Sequence, residues 1–318
     1  MMKNLFMSCI VAQNLFKNYG TLKAVDNLSI SVPKGKVFGF LGPNGAGKST
    51  TIKLLTTLVQ PSSGKLTILD IDAIKNPLKV RHRIGVVLQQ PSYEPTLTVE
   101  KALEKYGMMW NVPKIERKIR MEQLLEDFDL KDIRKKRNED LSIGQRRRVQ
   151  VAREFMHDME LLFLDEPTVG LDPSARRKLL DYLKNKVKTG LTIFFTTHIL
   201  TEAEYLCDEI AIINNGKILA IDTPDALKNK FGKEKTIKIH LLKKQQNIES
   251  LLLGIPDCKI DFQTGTNITI HSSQSELVLM KILRILNEND IAIDDLSAVP
   301  TSLEEIFLKM VEENVYNN

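Results

Sequence analysis

Residues 36–55 read KVFGFLGPNGAGKSTTIKLL, a short apolar run that ends at Gly42 and passes through a glycine-rich turn into helix-forming residues. Gly42, four further residues, then Gly47, Lys48 and Ser49 is the spacing that cradles a triphosphate. Gly42, Gly45 and Gly47 lack side chains, so successive backbone N–H groups can turn inward toward phosphate oxygens. A helix starting near Lys48 aims its unpaired N–H groups and positive dipole end at the same point. Lys48 adds a mobile charge for the β- and γ-phosphates, and the Ser49 hydroxyl is placed to ligate Mg²⁺.

The chain has 318 residues, enough for two domains with separate cores. A hydrophobic fraction of 42% and a charged fraction of 27% belong to a globular protein, and no apolar run is long enough to span a bilayer. The start, MMKNLFMSCIVAQ, has no small-residue cleavage site and is read as a loose end feeding a first strand, not a signal peptide. Cys9, Cys207 and Cys258 are scattered and odd in number, which fits a reducing compartment and gives no metal pattern. The net charge is +5, with basic clusters at 134–137, 146–148 and 176–178. These are read as solvated helix faces, because no aromatic residues are interleaved for base stacking.

Outward from the loop, CIVAQNLF (9–16) and AVDNLSISV (24–32) alternate apolar and polar around a break at 17–20, predicting an antiparallel hairpin with Tyr19 in its turn. VRHRIGVVLQ (80–89) is read as a strand ending on Gln89, and KLTIL (65–69) as another. From about 95 to 158 the pattern is helical, with Met108, Met109 and Trp110 expected in its core or packing surface. Ser142 is a good N-cap, Gly144 keeps the first turn uncluttered, and Val149, Ala152 and Met156 form a buried stripe. LLFL (161–164) reads as a strand buried on both faces. It delivers Asp165 and Glu166, a carboxylate pair that is costly unless a cation or an attacking water uses it. LTIFFTTH (191–198) is a second buried strand, ending on His198 at the same sheet edge. EIAIINNGKILAI (209–221) closes the first domain as a hairpin with a type I′ turn at Asn215-Gly216. A helix follows Thr223-Pro224, and Gly232 marks a boundary between domains at 1–232 and 233–318. The β-α-β-β-α-β order after it predicts a ferredoxin-like module closed by a helix at TSLEEIFLKM.

With those residues in place, the first 230 or so resemble the ATP-binding subunit of an ABC transporter. GPNGAGKS (42–49) resembles the Walker A motif, LSIGQ (141–145) the LSGGQ signature and LLFLDE (161–166) Walker B. Gln89 resembles the Q-loop glutamine, GLD (170–172) the D-loop and His198 the switch histidine. The run RRRVQVAREFMHDMELLFLDEPTVGLDP and the ending TSLEEIFLKM resemble the daunorubicin-resistance exporters within that family.

The resemblance implies an α/β P-loop NTPase fold with a mixed sheet, an antiparallel β subdomain and a helical subdomain, followed by a small α+β domain. It implies ATP and Mg²⁺ as ligands. Nucleotide contacts fall on Tyr19, Gly42, Pro43, Asn44, Gly45, Ala46, Gly47, Lys48, Ser49 and Thr50, and on Ser142, Gly144, Gln145 and Asp172. Metal contacts fall on Ser49, Gln89 and Asp165, and catalysis on Lys48, Gln89, Glu166 and His198. The implied partners are a separately encoded membrane permease and a second ATPase subunit arranged head to tail, at the cytoplasmic face of the membrane. Ile143 departs from the family pattern by standing where the signature has a glycine. A non-transport relative acting on nucleic acid or the ribosome is the competing reading, but such proteins carry coiled coils, zinc cysteines or paired cassettes. A P-loop kinase or switch protein would leave LSIGQ and His198 without a role.

Overall fold

The structure, a computed structural model, describes residues 8–90, 92–231, 235–245, 247–263, 265–272, 274–300 and 302–316. The lead-in over residues 1–7, the boundary at Gly232 and the start of the last helix at Thr301 lie outside them. The chain forms two compact units, 1–223 and 224–318.

Unit 1 opens with β1 (Ser8–Tyr19) and β2 (Leu22–Pro33), followed by β3 (Val37–Leu41) and α1 (Lys48–Leu55). Next come β4 (Ser63–Ile68), β5 (Ile71–Asp72), α2 (Pro77–Arg81) and β6 (Ile84–Val87). The helical stretch holds α3 (Val99–Met109), α4 (Lys114–Asp127) and α5 (Ile143–Glu154). It leads to β7 (Leu161–Asp165), α6 (Pro173–Lys188), β8 (Thr192–Thr197) and α7 (Leu200–Leu206). The hairpin of β9 (Glu209–Asn214) and β10 (Lys217–Asp222) completes the unit, with Asn215 and Gly216 both at positive φ as a type I′ turn requires.

Two sheets share one core. An antiparallel sheet has the order β2-β1-β4-β5, and a six-stranded sheet has the order β10-β9-β3-β8-β7-β6. In the latter, β9, β3, β8, β7 and β6 run parallel to one another, and β10 is antiparallel to β9 at the edge. Every residue of β3, β7 and β8 is buried, which explains why these strands read as unbroken apolar runs. Phe194 is the hub of the aromatic packing, with ring centroids 5.7, 5.4 and 5.6 Å from Phe38, Phe40 and Phe163.

Three expectations need correction. The segment 80–83 is not strand: Pro77 starts α2, whose last residue is Arg81, and the strand begins only at Ile84. Met108 and Met109 are exposed, because the buried stripe of α3 runs through Val99, Ala102, Leu103 and Gly107. Trp110 does pack, stacked 4.0 Å from the His157 ring. The basic clusters are solvated only in part: Lys135, Lys136, Arg137, Arg177 and Lys178 are exposed as expected, but Arg134 bonds Glu100 and Glu122, Arg148 bonds two backbone carbonyls, and Arg147 is buried.

Unit 2 contains α8 (Pro224–Phe231), β11 (Lys235–Leu241), α9 (Ile248–Leu252), β12 (Cys258–Gln263), β13 (Asn267–Ser272), α10 (Ser275–Glu288), β14 (Ile293–Pro300) and α11 (Leu303–Tyr316). Its antiparallel sheet has the order β12-β13-β11-β14, the arrangement of a split βαβ module. The division therefore falls nine residues ahead of the expected one, between Thr223 and Pro224. The reason is packing: α8 buries Leu227 and lies against α11, which buries Leu303, Ile306 and Met310 at helical spacing.

Replacing Phe194 with alanine removes the ring that three others pack on. The expected loss is about 3–5 kcal/mol, measured by urea denaturation of the full chain; a change under about 1 kcal/mol would mean the cluster repacks without it.

Candidate nucleotide site

Parallel strands place their carboxyl ends at one edge, where an open α/β sheet binds its ligands. β3 delivers Gly42, β6 leads to Gln89, β7 ends on Asp165 followed by Glu166, and β8 is followed by His198.

A cavity of about 690 Å³ opens at this edge. Pro43, Asn44, Gly45, Gly47, Lys48, Ser49 and Thr50 line it, facing Gln89, Glu166 and Tyr19. The loop is held from behind by the hairpin turn, since the Gly216 N–H donates to the Ala46 carbonyl at 2.9 Å. Gly47 sits at φ +104, and a Cβ there would lie 2.4 Å from the Ala24 carbonyl oxygen. A Cβ on Gly42 would lie 2.4 Å from the Ile213 oxygen. Both glycines are thus required by close backbone approach, and Gly47 also by its left-handed φ. Gly42 and Ala46 shape the loop without lining the cavity, Ala46 being buried in the core.

Lys48 is buried, and its Nζ donates to the carbonyls of Gly42 at 2.7 Å and Pro43 at 3.2 Å. Burial lowers its pKa, against the opposing pull of the Glu166 and Asp165 carboxylates. An ammonium satisfied by two neutral carbonyls gains from exchanging them for phosphate oxygens. Tyr19 stands half-exposed at the mouth with Lys17 Nζ 5.0 Å from its ring centroid, presenting an aromatic face at the cavity.

Glu166 is buried, at φ +49, a left-handed conformation that costs a non-glycine residue about 1–3 kcal/mol and persists only where the surroundings dictate it. Here they do. Its N–H donates to both the carbonyl and the hydroxyl of Thr196, each at 3.1 Å. Its Oε2 accepts from Gln89 Nε2 at 3.3 Å and lies 3.3 Å from His198 Nδ1. Gln89, Glu166 and His198 are therefore one cluster, as their places at strand ends suggested. Asp165 is buried beside them, its Oδ1 accepting from the Thr196 hydroxyl at 2.6 Å.

Among the described residues no three His, Cys, Asp or Glu side chains converge as a metal cage. Mg²⁺ needs none, since it takes one or two protein oxygens and completes its shell with phosphate and water. The Ser49 hydroxyl, the Asp165 carboxylate and the Gln89 amide are hard oxygen donors suited to that role.

Asp165 and His198, like Gly42 and Ala46, do not line the cavity but bond or adjoin residues that do, whereas Ser142, Gly144, Gln145 and Asp172 belong to the starts of α5 and α6. Ser142 caps α5 in a reciprocal capping box, its hydroxyl accepting from the Gln145 N–H at 3.2 Å while Gln145 Oε1 accepts from the Ser142 N–H at 3.0 Å. Gly144 is needed because a Cβ would lie 2.7 Å from the Gly170 oxygen. Asp172 caps α6, accepting from the Ala175 N–H at 2.9 Å, and this bond holds its carboxyl below the usual range. Among the described residues no hydrogen bond or ion pair joins these four to the phosphate loop.

Sequence reading missed Arg147, Gln150, Thr196 and Glu202, all buried polar residues bonded to the site's backbone or its loops. Glu202 Oε2 accepts from the Thr168 and Thr197 hydroxyls, both at 2.9 Å, linking the segment after β7 to the end of β8. A signal existed in α5, where Arg147, Gln150 and Glu154 form a polar stripe at helical spacing beside the apolar one.

Residues 25–169 match the family model described as ABC transporter, and residues 223–311 match that of the ATP-binding protein DrrA1-3-like, C-terminal domain. The linearmycin resistance ATP-binding protein LnrL of Bacillus subtilis is 33% identical, over 94% of this chain and 97% of the relative. The daunorubicin/doxorubicin resistance ATP-binding protein DrrA of Streptomyces peucetius is 34% identical, over 95% and 92%. A dimeric ATP-binding cassette solved in a post-hydrolysis state with ADP and Pi superposes with a TM-score of 0.63 at 25% identity, over 67% of this chain and 98% of that one. Kinship along nearly the whole length, joined to a phosphate loop that faces a strand-end glutamate, makes this chain a member of the ABC transporter family and an ATP-hydrolysing subunit within it.

Proposed function

We propose that two copies of this chain clamp ATP head to tail and drive a separately encoded permease that exports drug-like hydrophobic compounds. The observation that carries the reading is the divided site. The cavity gathers Lys48, Ser49, Gln89 and Glu166, while the capped start of α5, with Ser142 and Gly144, lies outside it. A helix N-terminus is an anion receptor, and only a second molecule can use this one for the same phosphates. The drug-resistance names of the relatives support export over a role on nucleic acid or the ribosome. Among the described residues no helix is long and apolar enough to cross a membrane.

In this mechanism Lys48 and the loop amides bind the phosphates, and Tyr19 stacks on the base. Ser49, Asp165 and Gln89 would hold Mg²⁺, which when bound draws charge from the β- and γ-oxygens. Glu166 orients the attacking water and accepts its proton as the water oxygen bonds to the γ-phosphorus and the bond to the bridging oxygen breaks. His198, 3.3 Å from Glu166, keeps water and γ-phosphate in line. ATP binds the closed dimer better than the open one, so hydrolysis lets the halves part.

Glu166→Gln should cut turnover about 100-fold or more yet leave ATP binding intact. With Mg-ATP the variant should accumulate as a dimer by light scattering; a species that stays monomeric sinks the clamp. Lys48→Ala should abolish nucleotide binding measured by calorimetry, and an unchanged affinity would mean the loop does not hold phosphate. Ile143 is exposed at the start of α5, where its bulk would meet the partner's nucleotide. Ile143→Gly should therefore raise the ATPase rate, and an unaltered rate would show that the isoleucine is accommodated.

A further inference from the structure

Arg147 is buried on α5, and among the described residues all its hydrogen-bond partners are neutral oxygens. Nη1 donates to the Leu88 carbonyl and to Gln150 Oε1, both at 2.8 Å. Nη2 donates to the carbonyls of Asp165 at 3.1 Å and Glu166 at 2.7 Å. Gln150 extends the same contact, its Nε2 donating to the carbonyls of Leu88 and Gln90 at 3.3 and 3.4 Å. A guanidinium withdrawn from water without an ion-pair partner is expensive to keep. Burial lowers its pKa, and only the field of the Asp165 and Glu166 carboxylates opposes that. Such a group is poorly explained as a stabiliser of the core.

We infer that Arg147 is a positioning residue for hydrolysis: its planar fork ties the segment after β6 and the end of β7 to the signature helix, and so fixes where Glu166 stands. The geometry favours a fork over a point charge, because two nitrogens reach two different strands' ends. Glu166 adopts a left-handed backbone that does not hold itself. Thr196 pins its N–H from β8, and Arg147 pins its carbonyl from α5. Release of the carbonyl frees the glutamate to tilt, and a displacement near 1 Å is enough to cost about 100-fold in rate. The phosphate loop lies between β3 and α1 and makes no bond to Arg147 among the described residues, so nucleotide affinity should not change with it.

The inference rests on Glu166 being the water-orienting group. The test compares the full-length chain with Arg147→Gln, Arg147→Lys and Glu166→Gln, measuring kcat, KM and the Kd for a non-hydrolysable ATP analogue. Arg147→Gln should lower kcat by about 30-fold with Kd within about twofold of the parent. Arg147→Lys keeps the charge but loses the fork, and should remain at least about 10-fold slow. Recovery of the parental kcat by lysine overturns the fork, and a parallel loss of kcat and affinity in the glutamine variant overturns the positioning role. If Arg147→Gln yields no folded protein, Gln150→Met decides. It removes one acceptor from Nη1 and should cost roughly fivefold in kcat at unchanged Kd, and no loss overturns the inference. If Glu166→Gln turns over normally, the reading of Glu166 falls and this inference with it. If Glu166→Gln is inactive while Arg147→Gln keeps the parental kcat, the inference alone fails.

Discussion

The structure depends on parallel pairing between strands that have no wet face. β3, β7 and β8 are buried along their whole length, so their backbone groups must be satisfied by one another and their polar residues can appear only where the strands end. That constraint collects chemistry at one edge. Gly42, Asp165, Glu166 and His198 come from distant parts of the sequence and meet because three hydrophobic strands stop level with each other.

The segments just beyond the strand ends are held by hydroxyls and guanidinium groups more than by ion pairs. Thr196 serves the Asp165 carboxylate and the Glu166 N–H at once, and Glu202 gathers two threonine hydroxyls, one from the loop after β7 and one from the last residue of β8. In a buried strand a threonine must find an acceptor, and the acceptors here are the groups whose orientation matters. The region beside α5 continues the scheme. Glu154 is buried, accepting from the Tyr106 hydroxyl and the Val86 N–H, and desolvation raises its pKa.

Much of this could be read from the residues. The glycine spacing, the apolar runs of β7 and β8, the Ser142 cap and the Asn215-Gly216 turn each have a local cause, and each falls where the local rule puts it. The cluster of Gln89, Glu166 and His198 was legible because each follows the carboxyl end of a strand, although β6 stops at Val87, two residues short of the expected end at Gln89. The clamp by Arg147 was not. In sequence it is one of three adjacent arginines, and only the angle at which α5 meets the sheet separates the buried one from Arg146 and Arg148. α2 was missed because Val80 reads as strand, although Pro77 marks a helix start. The early division of the chain was hidden for a similar reason, since the owner of α8 is decided by α11, far along the sequence.

The ferredoxin-like module has a core of its own, with Ile237, Ile239, Ile268, Ile270, Val278 and Ile282 at its centre, and none of these residues belongs to the core around Phe194. With a separate set of buried side chains in each module, a two-state description of the whole polypeptide stands only if its calorimetric and van't Hoff enthalpies agree.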